Sequence, residues 1–312
     1  MKIVIILSLF FSSLFSVEKT IKELQEEFFH DVIETRIYKK HYNKYILSAC
    51  GQDDILCQTK LIKKIRNNSV VKKNRVLKND INYMRALTSE SKEYIDKLIL
   101  KLKKELVNVT LKDHEFISTI DLSRQTLIIF LYDKKNDVFH KIGTDLISSG
   151  DKNREGEITW GDDHFFDTPT GVFQIKEGWR SEGQYKTYKD ETYQPYGSKD
   201  RFIFHVGKIE TTRYNVFDRN KQKIINQKNW VIIDDTVNFA LHSHRSKAPL
   251  GIASSHGCVR MSDELNYFLD TNAVLHKRFF RDDKWRLRFT KKPKNLKYQE
   301  FAGEYIVIFD KI

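Results

Sequence analysis

Phe116 to Gly150 reads FISTIDLSRQTLIIFLYDKKNDVFHKIGTDLISSG, and this stretch decides the fold class because it alternates short β-branched and aromatic runs with turn residues. One run ends near Asp121, a second spans Thr126–Tyr132, a DKKND turn follows, and a third spans Val138–Leu146. Further strand candidates follow at Gly171–Ile175, Phe202–Val206, Trp230–Ile233 and Phe239–His242, while Pro169, Pro195 and Pro249 fall in loop-like surroundings. Many short strands with few helical intervals predict a β-sandwich or barrel-like domain over residues 116–290.

Upstream the character changes. Residues 17–115 are highly charged, contain no proline and repeatedly show apolar residues at helical spacing; the clearest stripe is Ile95, Leu98, Ile99, Leu102 and Leu106. This predicts a helical N-terminal domain, and the fold class is α+β, mainly β. Between Leu56 and Asn79 there are eight Lys or Arg and no acidic residue, a solvated helix face or a surface that docks to an anionic polymer. The tail, residues 291–312, is basic and ends in EYIVIFDKI, which is expected to add a strand or to pack on the N-terminal helices.

Residues 1–16, MKIVIILSLFFSSLFS, place one lysine before an apolar run that is shorter than the roughly 20 residues a helix needs to cross a bilayer. They read as a secretory signal, with no transmembrane span after cleavage and no cysteine before Cys50 to carry a lipid. The expected location is the periplasm or cell envelope. The net charge of +12 becomes +11 without Lys2. A strongly basic exported chain meets few nucleic acids; the expected partners are anionic envelope polymers, reached through the basic N-terminal region. In an oxidising compartment thiols tend to pair, and Cys50 and Cys57 are close enough to close a small disulfide loop around GQDDIL. That leaves Cys258 alone.

Cys258 lies in LHSHRSKAPLGIASSHGCVRM, Leu241–Met261, which also holds His242, His244 and His256. Three readings of these residues compete. Zinc accepts both residue types, and each of the pairs His242/His244 and His256/Cys258 would point to one face of a strand; SSHGCV is turn-like, however, and no paired-cysteine zinc pattern accompanies it. A buried inert thiol with surface histidines is the second. In the third, a histidine takes the proton of the thiol and backbone amides receive a developing oxyanion. Gly257 allows a sharp turn, so that the Gly257 and Cys258 amides can face one oxygen. Ser262-Asp263-Glu264 looks like an N-cap with acids in a first helical turn, whose positive end would favour thiolate. Acyl transfer through a thioester, with neither metal nor cofactor, follows from this third reading.

Ser255-His256-Gly257-Cys258-Val259-Arg260, with a histidine sixteen positions before the cysteine, resembles the signature of the L,D-transpeptidase catalytic domain family, also called YkuD. Ser148-Ser149-Gly150 and Thr168-Pro169-Thr170-Gly171-Val172-Phe173 look like two further segments of that family, so the resemblance covers roughly Phe116 to Phe289. It implies Cys258 as nucleophile and His242 as general base, oriented through the backbone carbonyl of Ser243. His256 would support the site or share in proton transfer, and Arg260 would make a structural or substrate-carboxylate contact. His244 has no counterpart and is expected to be a solvent-exposed bystander; His205 is expected to be a satisfied core or edge histidine. Two segments depart from the pattern: Asp151–Thr168 and Glu177–Asp200 are long and polar, and such loops either shape a lid or groove or reflect loop drift without function.

The resemblance implies an envelope cysteine enzyme acting on peptidoglycan stem peptides at an L,D bond. Attack on the thioester by an amine makes it a transpeptidase; attack by water makes it an L,D-carboxypeptidase that trims tetrapeptides to tripeptides and affects cell shape. A zinc hydrolase and an inactive envelope-binding module are the readings from other classes.

Overall fold

The run Thr126–Asp133 is apolar at nearly every position because the strand it forms is buried on both faces, where a strand with one wet face would alternate. The structure, a computed structural model, describes residues 18–28, 31–32, 91–151, 164–188, 191–215, 222, 224–229, 231–245, 250–286 and 290–312. The expected signal segment, Cys50, Cys57, the basic stretch Leu56–Asn79 and residues 152–163 of the first long loop lie outside the described residues.

Strands β1 (His114–Asp121), β2 (Thr126–Asp133) and β3 (Val138–Leu146) form a meander. With β5 (Gly171–Gln174) and β12 (Tyr305–Phe309) they make a sheet ordered β3-β2-β1-β12-β5. The second sheet runs β11-β10-β9-β4, built from β4 (His164–Phe166), β9 (Phe202–Asn215), β10 (Val231–Ser243) and β11 (Val259–Met261), with β6 (Glu177–Arg180) also paired to β9. A small hairpin, β7 (Lys186–Tyr188) and β8 (Glu191–Tyr193), stands apart.

Phe116, Ile120, Leu127, Ile129, Leu131, Ile306 and Ile308 of the first sheet enter the main core with Phe204, Phe239 and Leu241 of the second. The alternate residues Ile117, Ile128, Phe130 and Val307 face a second core under helix α2 (Lys92–Glu105). Ser91 caps α2 by accepting the Tyr94 amide, and the buried stripe is Tyr94, Leu98, Leu102 and then Leu106, with Ile95 and Ile99 at its margins. The Tyr94 hydroxyl donates to Asp121 at 2.8 Å, and the Arg124 guanidinium lies 3.6 Å over its ring.

Helix α1, residues 18–28, places Ile21, Leu24 and Phe28 in the main core. The Phe28 ring meets Phe268 edge-on at 5.1 Å and fills the space that a Cβ on Gly143 would need. Both described N-terminal helices are therefore layers of the sandwich, and a helical domain of its own finds no support among the described residues. No described helix is long and apolar enough to cross a membrane.

One strand expectation changes and one is met. Two of the strand candidates, from residue 231 on in the first and Phe239–His242 in the second, belong to one strand, β10, because the polar residues between them stay on the backbone ladder with β9; Trp230 lies outside the described residues. The tail EYIVIFDKI supplies β12, which lies between β1 and β5 and pairs parallel to β1, so the sandwich extends past residue 290. Helices α3 (Asp263–Thr271) and α4 (Lys277–Arg281) follow β11.

Candidate active site

Strand β11 pairs parallel with β10, and the register sets His242 opposite Arg260. A bulge between Phe239 and Ala240 re-aims β10 immediately before the histidine, as bulges beside active sites do. Cys258 ends the turn that leads into β11. Its thiol donates to the Asn238 carbonyl at 3.6 Å and also feels the Ala240 amide, so it lies against β10 a few residues before His242.

The turn holds itself together. The Ser255 hydroxyl accepts the Gly257 amide at 3.1 Å and donates to the Cys258 carbonyl at 2.5 Å. Gly257 takes φ +124°, a region that favours glycine, and a Cβ there would sit 2.8 Å from Cβ of Phe166. Of the two amides expected to face an oxyanion, that of Gly257 donates here to the Ser255 hydroxyl. The Cys258 amide has no partner among the described residues.

The two upstream segments converge on this turn. Ser148 and Arg260 exchange backbone hydrogen bonds at 2.8 Å in both directions, and Gly150 bridges Ser255. The Gly150 amide donates to the Thr168 hydroxyl at 2.8 Å, which donates to the Gly257 carbonyl at 2.7 Å. Gln125 grips Ser149 twice, through its backbone amide at 2.8 Å and its hydroxyl at 2.7 Å. A groove of about 510 Å³ runs along this contact past Ser149, Gly150, Thr168 and Pro169; neither His242 nor Cys258 lines it.

His242 is buried, and its Nδ1–H donates to the Ser243 carbonyl at 2.9 Å. Desolvation lowers its pKa to about 4; the Arg260 charge pushes the same way, and the Ser243 and Pro195 carbonyls oppose it. Burial pushes the Cys258 thiol above its ordinary value, against the smaller pull of the Ala240 amide and Arg260. The resting pair is thus a neutral thiol and a neutral imidazole. Ser262 does cap α3, with Asp263 and Glu264 in the first turn. Arg260 donates to the Ser254 carbonyl at 3.1 Å, a contact within the turn. His256 offers its carbonyl to the Phe166 amide at 3.4 Å.

The second long polar segment covers this centre. Gln194 and Arg245 exchange backbone hydrogen bonds at 2.8 and 3.1 Å, and the Tyr196 ring meets His242 edge-on at 5.1 Å. His244 is half-buried, not fully exposed: its Nδ1 lies 3.1 Å from the Pro195 carbonyl, and its ring packs on Tyr193. His205 is nearly buried, with Nδ1 2.8 Å from Glu177 and its ring beside Trp179. Sequence reasoning missed Tyr196 and the side-chain role of Asp263, whose carboxylate accepts the Ser243 hydroxyl. Among the described residues, no three His, Cys, Asp or Glu side chains are grouped to hold a metal ion.

A family model described as the L,D-transpeptidase catalytic domain (YkuD) matches residues 115–273, just over half of the chain. Among solved structures, the chain is similar to Bd1075 of Bdellovibrio bacteriovorus, with 15% identity and a TM-score of 0.29 over 63% of this chain and 48% of that one. It is also similar to a fused Zn-dependent amidase/peptidase/peptidoglycan-binding domain-containing protein of Clostridium acetobutylicum, with 14% identity and a TM-score of 0.27 over 70% of this chain and 63% of that one. The chain thus spans about half of the first and under two thirds of the second. A comparison with curated proteins returned no match.

Proposed function

Because the chain belongs to the L,D-transpeptidase catalytic domain family, we propose that it is an exported envelope enzyme that opens an L,D bond of peptidoglycan stem peptides through a thioester on Cys258. The observation that carries this reading is a buried histidine, fixed through Nδ1 on its neighbour's carbonyl, on the strand against which the only described cysteine lies. With Nδ1–H committed to Ser243, Nε2 keeps its lone pair for the thiol proton.

Cys258 attacks the carbonyl of the L-centred residue as its proton passes to His242, and the carbonyls of Ser243 and Pro195 favour the imidazolium that forms. The Cys258 amide faces the developing oxyanion. The C–N bond then breaks, the imidazolium returns its proton to the departing D-amino acid, and the thioester remains. An amine from a second stem attacks it, which makes the enzyme an L,D-transpeptidase; water in place of the amine makes it an L,D-carboxypeptidase. The strongly positive net charge, +12 for the full sequence, supports contact with anionic envelope polymers.

Incubation with disaccharide tetrapeptides, followed by mass, tests this reading. Dimers or exchanged D-amino acids that vanish in Cys258→Ala support the transpeptidase, and tripeptide alone assigns the carboxypeptidase. Unchanged substrate with the active chain would overturn both.

A further inference from the structure

Asp263 occupies the first turn of α3, where a carboxylate ordinarily does no more than complement the helix dipole. Glu264 supplies that charge one residue later, and Ser262 already caps the helix. The Asp263 carboxylate is instead largely buried, with 14% of its side chain exposed, and points back to β10 and the loop above it. Oδ1 accepts the Ser243 hydroxyl, and also the Ser198 amide at 3.3 Å; Oδ2 accepts the Ser198 hydroxyl. Arg245 and Arg201 stand 3.8 and 4.0 Å away and balance its charge. Gly197, at φ +73°, passes directly over the Ser243–Asp263 contact and leaves no room there for a Cβ.

One carboxylate therefore ties together the two structures that define the place of His242. Ser243 provides the carbonyl that receives Nδ1–H, and residues 195–198 carry the Pro195 carbonyl and the Tyr196 ring that close over the imidazole. We propose that Asp263 is a positioning residue for His242, holding both the Ser243 backbone and the 195–198 segment so that the imidazole keeps one orientation toward Cys258. This rests on the reading of His242 as the base. The effect is geometric: an imidazole free to turn presents the wrong nitrogen to the thiol, and misplacement by about 1 Å can cost on the order of 100-fold in rate.

The test measures kcat and KM on tetrapeptide with the full chain, together with the NMR resonance of the His242 Nδ1 proton and the melting temperature. Asp263→Ala should lower kcat by about 10- to 100-fold with KM little changed, and should broaden or remove the Nδ1–H resonance. Asp263→Asn, whose amide oxygen can still accept the Ser243 hydroxyl, should lose less. His242→Gln serves as the reference. If His242→Gln keeps full activity, the underlying functional reading falls; if it is inactive while Asp263→Ala keeps wild-type kcat and the resonance, the positioning role is overturned. Should Asp263→Ala fail to fold, Asp263→Asn and Ser243→Ala decide, and wild-type kcat with an intact resonance in both overturns the proposal.

Discussion

The Thr168 hydroxyl donates to the Gly257 carbonyl at 2.7 Å while accepting the Gly150 amide at 2.8 Å, so one side chain fastens two loops to the turn that presents Cys258. Thr168→Val keeps the shape and removes both bonds, leaving an amide and a carbonyl unsatisfied. The expected loss is about 1–3 kcal/mol in urea unfolding. A fall in kcat should accompany it, and Thr168→Ser should restore most of both.

Gly257→Ala adds a Cβ at a backbone angle that L residues rarely adopt, against Cβ of Phe166. The strain amounts to about 1–3 kcal/mol, and relief requires the turn to move. Because Cys258 is the next residue, turnover should collapse while the far-UV circular dichroism stays that of the wild type.

Burial holds the His242 pKa at about 4, below its ordinary value of 6.5. The unfolded chain takes up a proton below pH 6.5 that the folded chain refuses until about pH 4. This contribution to stability is therefore complete above pH 6.5 and is lost as the pH falls toward 4, by about 3 kcal/mol. His276, also lowered by burial, acts in the same direction, so His242→Gln should flatten the pH dependence of the urea midpoint only in part. The raised thiol has the opposite signature in reactivity: alkylation of Cys258 in the free enzyme should be slow at neutral pH and still accelerating above pH 9, the ordinary thiol value being 9.0.

Asp270 is held between Arg180, which reaches both its oxygens, and His276, whose Nε2 lies 2.9 Å away inside a cage of Phe202, Phe204, Phe279 and Trp285. Asp270→Ala leaves the guanidinium without its counter-charge in a buried place. A loss of about 3–5 kcal/mol is expected, larger than for any exposed pair such as Arg281 with Asp282.

Phe28→Ala empties the space between Gly143 and Phe268 and should cost about 3–5 kcal/mol. A single unfolding transition with a lower midpoint would establish α1 as part of the catalytic sandwich; an unchanged midpoint would make it a separate appendage.

The strands of the meander were legible because TLIIFLYD is apolar on both faces and DKKND is an unmistakable turn. The middle of β10 was not, since a ribbon that reaches past the core is held by its ladder with β9 and needs no apolar pattern. The place of β12 between β1 and β5 was equally hidden, because parallel pairing between residues 117 and 305 leaves no local mark in either segment. At the site, the histidine, glycine and cysteine residue types with their spacing were enough to select the elements. The Ser243–Asp263 contact and the closure of Tyr196 over His242 were not readable, because each joins residues that only the folded loop brings together. The burial that raises the Cys258 thiol was not readable either: the helix end is visible in SDE, whereas desolvation exists only after folding.

The most direct test is intact-protein mass spectrometry of the chain quenched in acid during turnover of a tetrapeptide donor, with peptide mapping of the adduct. The account predicts an added mass equal to the donor less its terminal D-amino acid, located on Cys258 and absent in Cys258→Ala. Continued turnover by Cys258→Ala, or an adduct on another residue, would contradict it.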